Sequence, residues 1–144
     1  MSERIRWSLS LWFIALLFNL LLAITLWGVL DTKSTLIAFA VSLLITLAIA
    51  QASEFEIVLG EKELIVGRAH IDYENLGAVY ALDRDSMARA RGVEIDPAAF
   101  FTLRFWIKTG VKVMVKDDRD PTPYWLITSK KYRELTRALE SKIS

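Results

Sequence analysis

The residues able to do acid–base or metal chemistry are few and scattered. His70 is the single histidine among 144 residues, and there is no cysteine. A zinc centre or a proton-transfer pair needs convergent groups, and His70 has no second imidazole or thiol to converge with. On a strand it would share a face with Arg68 and Asp72, which suits a structural or hydrogen-bonding role. Asp117, Asp118 and Asp120 form an acidic cluster. A helix–loop–helix calcium site needs a glycine and a distal glutamate at set spacing, which this stretch lacks. A solvated turn stiffened by Pro121 and Pro123 is the simpler expectation. Arg84, Arg89 and Arg91 are offset by Asp83 and Asp85, and no aromatic residues are interleaved for base stacking, so nucleic acid is not an expected partner. No glycine-rich phosphate loop, nucleophile elbow or metalloprotease motif is present. The expectation is a non-enzymatic protein with no metal and no cofactor.

Basic residues offer another kind of chemistry. Lys112 and Lys116, with Lys108 before them, and Lys130, Lys131 and Arg133 in the final segment could face anionic lipid headgroups. Each basic group near such a surface is worth about 1 kcal/mol. Glu134 and Glu140 are interleaved, so an ordinary solvated face accounts for the same pattern.

The elements that must carry these residues fall into two regions. Hydrophobic residues make up 53% of the chain and net charge is +1, with the apolar excess before Ser53. Residues 9–30 and 35–53 carry no formal charge, and a polar break at 31–34 separates them. Each run approaches or exceeds the roughly 20 residues needed to span a hydrocarbon core. A cleaved secretory signal has an apolar core of only about 7–15 residues, and it is not followed by a second such run. The expectation is a membrane protein: a cytoplasmic tail over residues 1–8, transmembrane helices over 9–30 and 35–53, an external loop over 31–34, and a soluble domain over 54–144. Ala15, Asn19 and Ala23 recur every fourth residue in the first helix; Ala38, Ser42, Thr46 and Ala50 do so in the second. Small residues at this spacing let helices approach closely in lipid. Folding the hairpin about residues 32–33 brings Asn19 level with Thr46, and a hydrogen bond from Asn19 to Thr46, or to a backbone carbonyl near it, is expected. Trp7, Trp12 and Trp27 lie near the helix ends, where indoles favour the headgroup region. Arg4, Arg6, Lys62 and Arg68 flank the hairpin against Lys33 alone in its loop, which puts both termini in the cytoplasm of a multi-pass cell-membrane protein.

Residues 54–144 are electrically balanced, with 15 Lys/Arg and 15 Asp/Glu. Alternation predicts strands over 55–59 and 64–66, turned by Gly60-Glu61-Lys62, then one strand over 71–82 interrupted near Asn75 and Gly77. Residues 100–107 and 111–116 read as a hairpin about Thr109-Gly110, and 124–128 as a last strand. Residues 83–96 form a charged excursion with a helical turn near Met87. Tyr132, Leu135, Leu139 and Ile143 give one apolar helical face, with Thr128 or Ser129 as cap. Strands followed by one closing helix predict an α+β domain, a bent antiparallel sheet capped by the C-terminal helix.

Three stretches carry a family resemblance: Gly67-Arg68-Ala69-His70-Ile71, residues 101–106 ending in Arg104-Phe105-Trp106, and Asp120-Pro121-Thr122-Pro123-Tyr124-Trp125-Leu126-Ile127. With the helical hairpin they make the chain resemble the actinobacterial two-pass membrane proteins known as domain of unknown function 3093. It departs from that pattern at Phe105 and Tyr132, where proline is expected. The element order is also similar to bacterial pleckstrin-homology-like domains that follow a pair of transmembrane helices. The resemblance implies a membrane location and no particular activity. The expected function is a membrane-tethered binding module that presents its domain to a protein partner or to the inner leaflet. The alternative is an accessory subunit of a larger membrane complex, assembled through the hairpin. Homo-oligomerisation stays open in both.

Overall fold

The computed structural model covers residues 1–144, which divide into two compact units. One is Arg6–Glu54; the other joins Met1–Ile5 to Phe55–Ser144.

Arg6–Glu54 is a helical hairpin. Helix α1 runs Leu9–Trp27 and α2 runs Thr32–Ala52. Both are rich in Leu and Ala, which lose little side-chain freedom in a helix. The Ser8 hydroxyl caps α1 by accepting from Leu11 N–H at 3.3 Å. Asp31 caps α2, accepting from Ser34 N–H at 3.1 Å and from its hydroxyl at 2.6 Å. This cap corrects the sequence boundaries. Thr32, Lys33 and Ser34 are the first turn of α2 rather than loop, because Asp31 satisfies the otherwise orphaned N–H groups there. Helix α1 stops at Trp27, three residues earlier than the uncharged run suggests.

The other unit is an α+β domain of two four-stranded sheets. The first orders β1 (Ser2–Ile5), β2 (Phe55–Leu59), β3 (Glu63–Val66) and β4 (Ala69–Asp72), all antiparallel. Strand β1 revises the reading of residues 1–8 as a tail: Glu3 pairs with Ile57 and Ile5 with Phe55. Between β3 and β4 the chain reverses on two residues. Gly67 takes a left-handed φ of 63° there, which a residue without Cβ adopts at no steric cost.

A 3-10 turn over Tyr73–Asn75 then carries the chain into a second sheet, so residues 71–82 are not one interrupted strand. That sheet contains β5 (Leu76–Leu82), β6 (Phe100–Thr102), β7 (Gly110–Val115) and β8 (Tyr124–Thr128), ordered β5-β7-β8-β6. Here the expectation of a wholly antiparallel sheet fails. Strand β6 pairs parallel with β8, Phe101 opposite Leu126, and never meets β7. The predicted hairpin of 100–107 with 111–116 is absent, because β7 lies between β5 and β8. Helix α3 (Arg84–Arg91) joins β5 to β6, and α4 (Tyr132–Ile143) ends the chain.

The second sheet is covered on both faces. Val111, Val113, Trp125 and Ile127 enter the main core with Ile57, Leu64 and Val66 of the first sheet and Leu135 and Leu139 of α4. Tyr124, Leu126 and Met114 point the other way, onto Met87 and Ala90 of α3 and Leu82. This two-sided burial explains why β8 reads Tyr-Trp-Leu-Ile without alternation. The start of α4 corrects another expectation. Lys131 stands at the cap position and makes no side-chain cap bond. Glu3 of β1 instead fixes the residues just ahead of the helix: its carboxylate accepts from the Ser129 hydroxyl and from Lys130 N–H at 2.8 Å.

Candidate functional site

The residues singled out in the hairpin come together. Asn19 is 1% exposed. Its Nδ2 donates to Thr46 Oγ1 at 3.0 Å and to the Ala15 carbonyl at 2.7 Å, while its Oδ1 accepts from the Ser42 hydroxyl. Ser42 and Thr46 sit one helical turn apart, and the Thr46 hydroxyl donates to the Ser42 carbonyl at 2.9 Å. One amide is thus satisfied at both its donor and acceptor atoms. Ala15, Ala23 and Ala38 are half-buried and Ala50 is buried, so both stripes face inward. At the open end of the hairpin, Trp7 Nε1 donates to Ser53 Oγ at 2.7 Å, Arg6 pairs with Glu54 at 3.7 Å, and the Trp7 and Trp12 rings lie 5.2 Å apart. Towards the turn, Leu20, Ala23, Trp27, Thr35, Leu36 and Phe39 line an apolar cleft of about 250 Å³. Thr35, 7% exposed, leaves its hydroxyl there without a partner.

In the α+β domain the sequence candidates disperse. His70 is exposed on β4, opposite Ile65. Asp117 accepts from the backbone and guanidinium of Arg119, and Asp120 accepts from Thr122 N–H at 2.9 Å, so this cluster closes turns. The Thr122 amide holds the Asp120 carboxyl below the usual carboxylate range. No group of three or more His, Asp or Glu is arranged to hold a metal ion.

The basic residues expected on one surface are not on one surface. Lys112 belongs to the α3 face of the second sheet, its Nζ 4.3 Å from the centre of the Tyr124 ring. Arg133 lies on α4, against the Tyr132 ring, on the opposite side of that sheet. Lys130 and Lys131 flank the Glu3 carboxylate through their backbone N–H groups. Lys116 follows β7, with its N–H bonded to Asn75 O at 2.7 Å. Alternation along β7 separates Lys112 from α4, because odd positions face the main core and even ones face α3.

A different basic site forms instead. Arg84, Met87, Ala88 and Arg91 occupy one face of α3 and, with Gly92 and Lys108, line a cleft of about 400 Å³. Arg91 Nη2 donates to the carbonyls of Arg104 (3.2 Å) and Ile107 (2.7 Å). This explains why the predicted strand over 100–107 ends at Thr102: residues 104–107 close a turn whose carbonyls bond a guanidinium rather than a neighbouring strand. Burial pulls both Arg91 and Arg104 below the ordinary guanidinium range. Phe105, in this turn, is 66% exposed and meets the Trp106 ring edge-on at 5.0 Å. The sequence showed only a charged excursion with a helical turn near Met87; neither this basic face nor its meeting with Lys108 was legible, because that contact depends on where β6 ends.

The geometry defines a class: a small α+β domain of two sheets, interrupted after its first strand by a long apolar helical hairpin. Residues 1–139 match the family described as protein of unknown function (DUF3093), and the chain belongs to that family. No curated protein and no solved structure matches it.

Proposed function

We propose that the chain is a membrane-anchored, non-enzymatic binding module, in which the hairpin spans a bilayer and the α+β domain works at its cytoplasmic face. The inverted burial of the hairpin carries this reading. Asn19 is shut between the helices with its amide paired there, while Phe13 is 70% and Leu44 is 65% exposed. Water would favour the reverse arrangement. Hydrocarbon favours this one, because polar groups must pair internally there and apolar side chains face lipid at no cost. A core hairpin of a soluble protein is disfavoured, since only 6% and 11% of the most apolar stretches of α1 and α2 are buried. Helices of 19 and 21 residues reach about 30 Å, the thickness of a hydrocarbon core.

Strand pairing supports the topology. Ile5 and Phe55 are neighbours in the first sheet, so the chain leaves one folded domain and returns to it after two helices. This supports a topology in which both ends of the hairpin share a side, and Arg4, Arg6, Lys62 and Arg68 favour the cytoplasm. The absence of convergent catalytic groups supports a binding role. So does the outline of two sheets closed by a C-terminal helix, which is similar to pleckstrin-homology-like modules; this support is analogy of fold.

The chain has no cysteine, so single cysteines at Lys33 and at Ser144 give a clean test. A membrane-impermeant maleimide added to intact cells should label position 33, and should label position 144 only after permeabilisation. Labelling of both from outside, or recovery of the protein in the soluble fraction, would overturn the proposal. The cleft beside Thr35 favours a second reading, in which the hairpin docks a further helix of a larger complex. Sizing of the same labelled protein in mild detergent separates the two, since a lone small species counts against the complex.

A further inference from the structure

We propose that the α3 cleft and the adjoining turn at Phe105 form a docking surface for anionic phospholipid headgroups, an inference that rests on the membrane-anchored reading and supplies its ligand. The charge is one-sided. Arg84, Arg91 and Lys108 line the cleft and no acidic side chain does. None of the nearby carboxylates lines it: Asp83 accepts from Ser86 N–H at 2.9 Å, Glu94 pairs with Arg89 at 3.8 Å, and Asp85 on α3 is outside the lining. Arg84 and Lys108 are exposed and take part in no ion pair. A phosphodiester in such a cleft meets guanidinium donors suited to two-point contact and an ammonium as a point charge.

Apolar residues are exposed on the same rim. Val93, next to the cleft residue Gly92, is 91% exposed, and Phe105 projects beside Trp106. Aromatic and aliphatic side chains beside cations are what the headgroup boundary accommodates: rings enter it and charges meet phosphates. Arg91 couples the two halves, since its bonds to Arg104 O and Ile107 O hold the Phe105 turn against the helix that lines the cleft. Three cations bind a leaflet weakly by themselves, but anchorage by the hairpin raises the local lipid concentration and makes weak docking effective.

The test uses the full-length protein in nanodiscs of phosphatidylcholine alone or with phosphatidylglycerol. An environment-sensitive fluorophore is placed on a single cysteine at Val93, at Leu44 of α2, or at Arg133 of α4. The Val93 label should shift to the blue and be quenched by spin-labelled lipid only with phosphatidylglycerol. The effect should reverse in high salt. It should be lost in the double variant Arg84→Glu, Lys108→Glu and reduced in Phe105→Ser, whose changes are on exposed side chains and leave the fold intact. The Leu44 label should be quenched throughout. A Val93 label that stays solvent-like while Leu44 is quenched overturns the docking surface and leaves the anchor standing. An unquenched Leu44 label overturns the anchor itself. A shift at Arg133 instead of Val93, or one indifferent to phosphatidylglycerol, also overturns this surface.

Discussion

Glu3 directs its carboxylate to the residues just ahead of α4, a helix that begins 129 residues further along. One oxygen accepts from the Ser129 hydroxyl and the other from Lys130 and Lys131 N–H. Ser129 is fully buried. Replacing Glu3 with Ala leaves the Ser129 hydroxyl and the Lys130 N–H just ahead of α4 without this acceptor, while Lys131 N–H keeps Ser129 Oγ at 3.1 Å; the loss should cost about 1–3 kcal/mol. Glu3→Gln keeps an acceptor oxygen and should cost less. Denaturant unfolding of the full-length variants in micelles measures both, and an unchanged midpoint for Glu3→Ala would remove Glu3 from the fold's supports. The sequence pointed to Thr128 or Ser129 as the cap because cap signals are read within a few residues. A partner on another strand has no spacing to betray it. Asn19 shows the opposite case. Its partner Thr46 was legible because two stripes with a four-residue period, folded about a short turn, fix which residues lie level; the added bond from Ser42, one turn away, was not.

Helix α3 shows how a short element depends on its ends. Its eight residues fall below the roughly 12–15 at which an isolated helix becomes marginal in water. What holds it is the Asp83 cap at one end and the packing of Met87 and Ala90 on the sheet. The backbone N–H of Ser86, and next its side chain, keep the Asp83 carboxyl below the usual carboxylate range. A carboxyl lowered in the folded state contributes stability that is present above its unfolded pKa and lost as pH falls through its folded value. The α3 cap should therefore weaken only in strongly acid solution. Asp83→Asn, which caps without a charge, should abolish that pH dependence while keeping the helix. Backbone chemical shifts of Ser86 and Met87 during an acid titration would show it, and an identical acid profile in Asp83→Asn would disprove the link. Strand endings were less legible than helix caps. Residues 100–107 are uniformly strand-like, yet pairing stops at Thr102 because Arg91 takes the carbonyls beyond it. Nor does propensity say which neighbour a strand will choose, so the parallel match of β6 with β8 lay beyond the pattern.

At the scale of the molecule, the hairpin is an insertion into a β-hairpin rather than a leader followed by a domain. The sequence placed the domain boundary at residue 54 because charge and hydropathy change there. Four residues at the N-terminus are too few to announce a strand, and their partner β2 lies beyond both helices. Leu59 N–H donates to Met1 O at 3.0 Å, and in an antiparallel ladder hydrogen-bonded pairs alternate, so Glu3 with Ile57 and Ile5 with Phe55 are also of that kind. Such a pair can be closed by a two-residue Asn-Gly turn. Replacing Arg6–Glu54 by Asn-Gly should therefore yield a water-soluble monomer that unfolds cooperatively. A fragment of residues 54–144 should be markedly weaker. It lacks Ile5, which is 1% exposed in the core and whose loss alone is worth about 2–5 kcal/mol by analogy with large-to-small core substitutions. It also lacks the Glu3 contact ahead of α4 and leaves β2 as a bare edge open to association. Thermal unfolding and sizing of the two proteins side by side decide the matter. If the fragment matches the turn-closed protein in both, β1 is dispensable and the domain begins after the helices. If only the turn-closed protein is monomeric and cooperative, the fold is one domain whose chain the helical hairpin interrupts between β1 and β2.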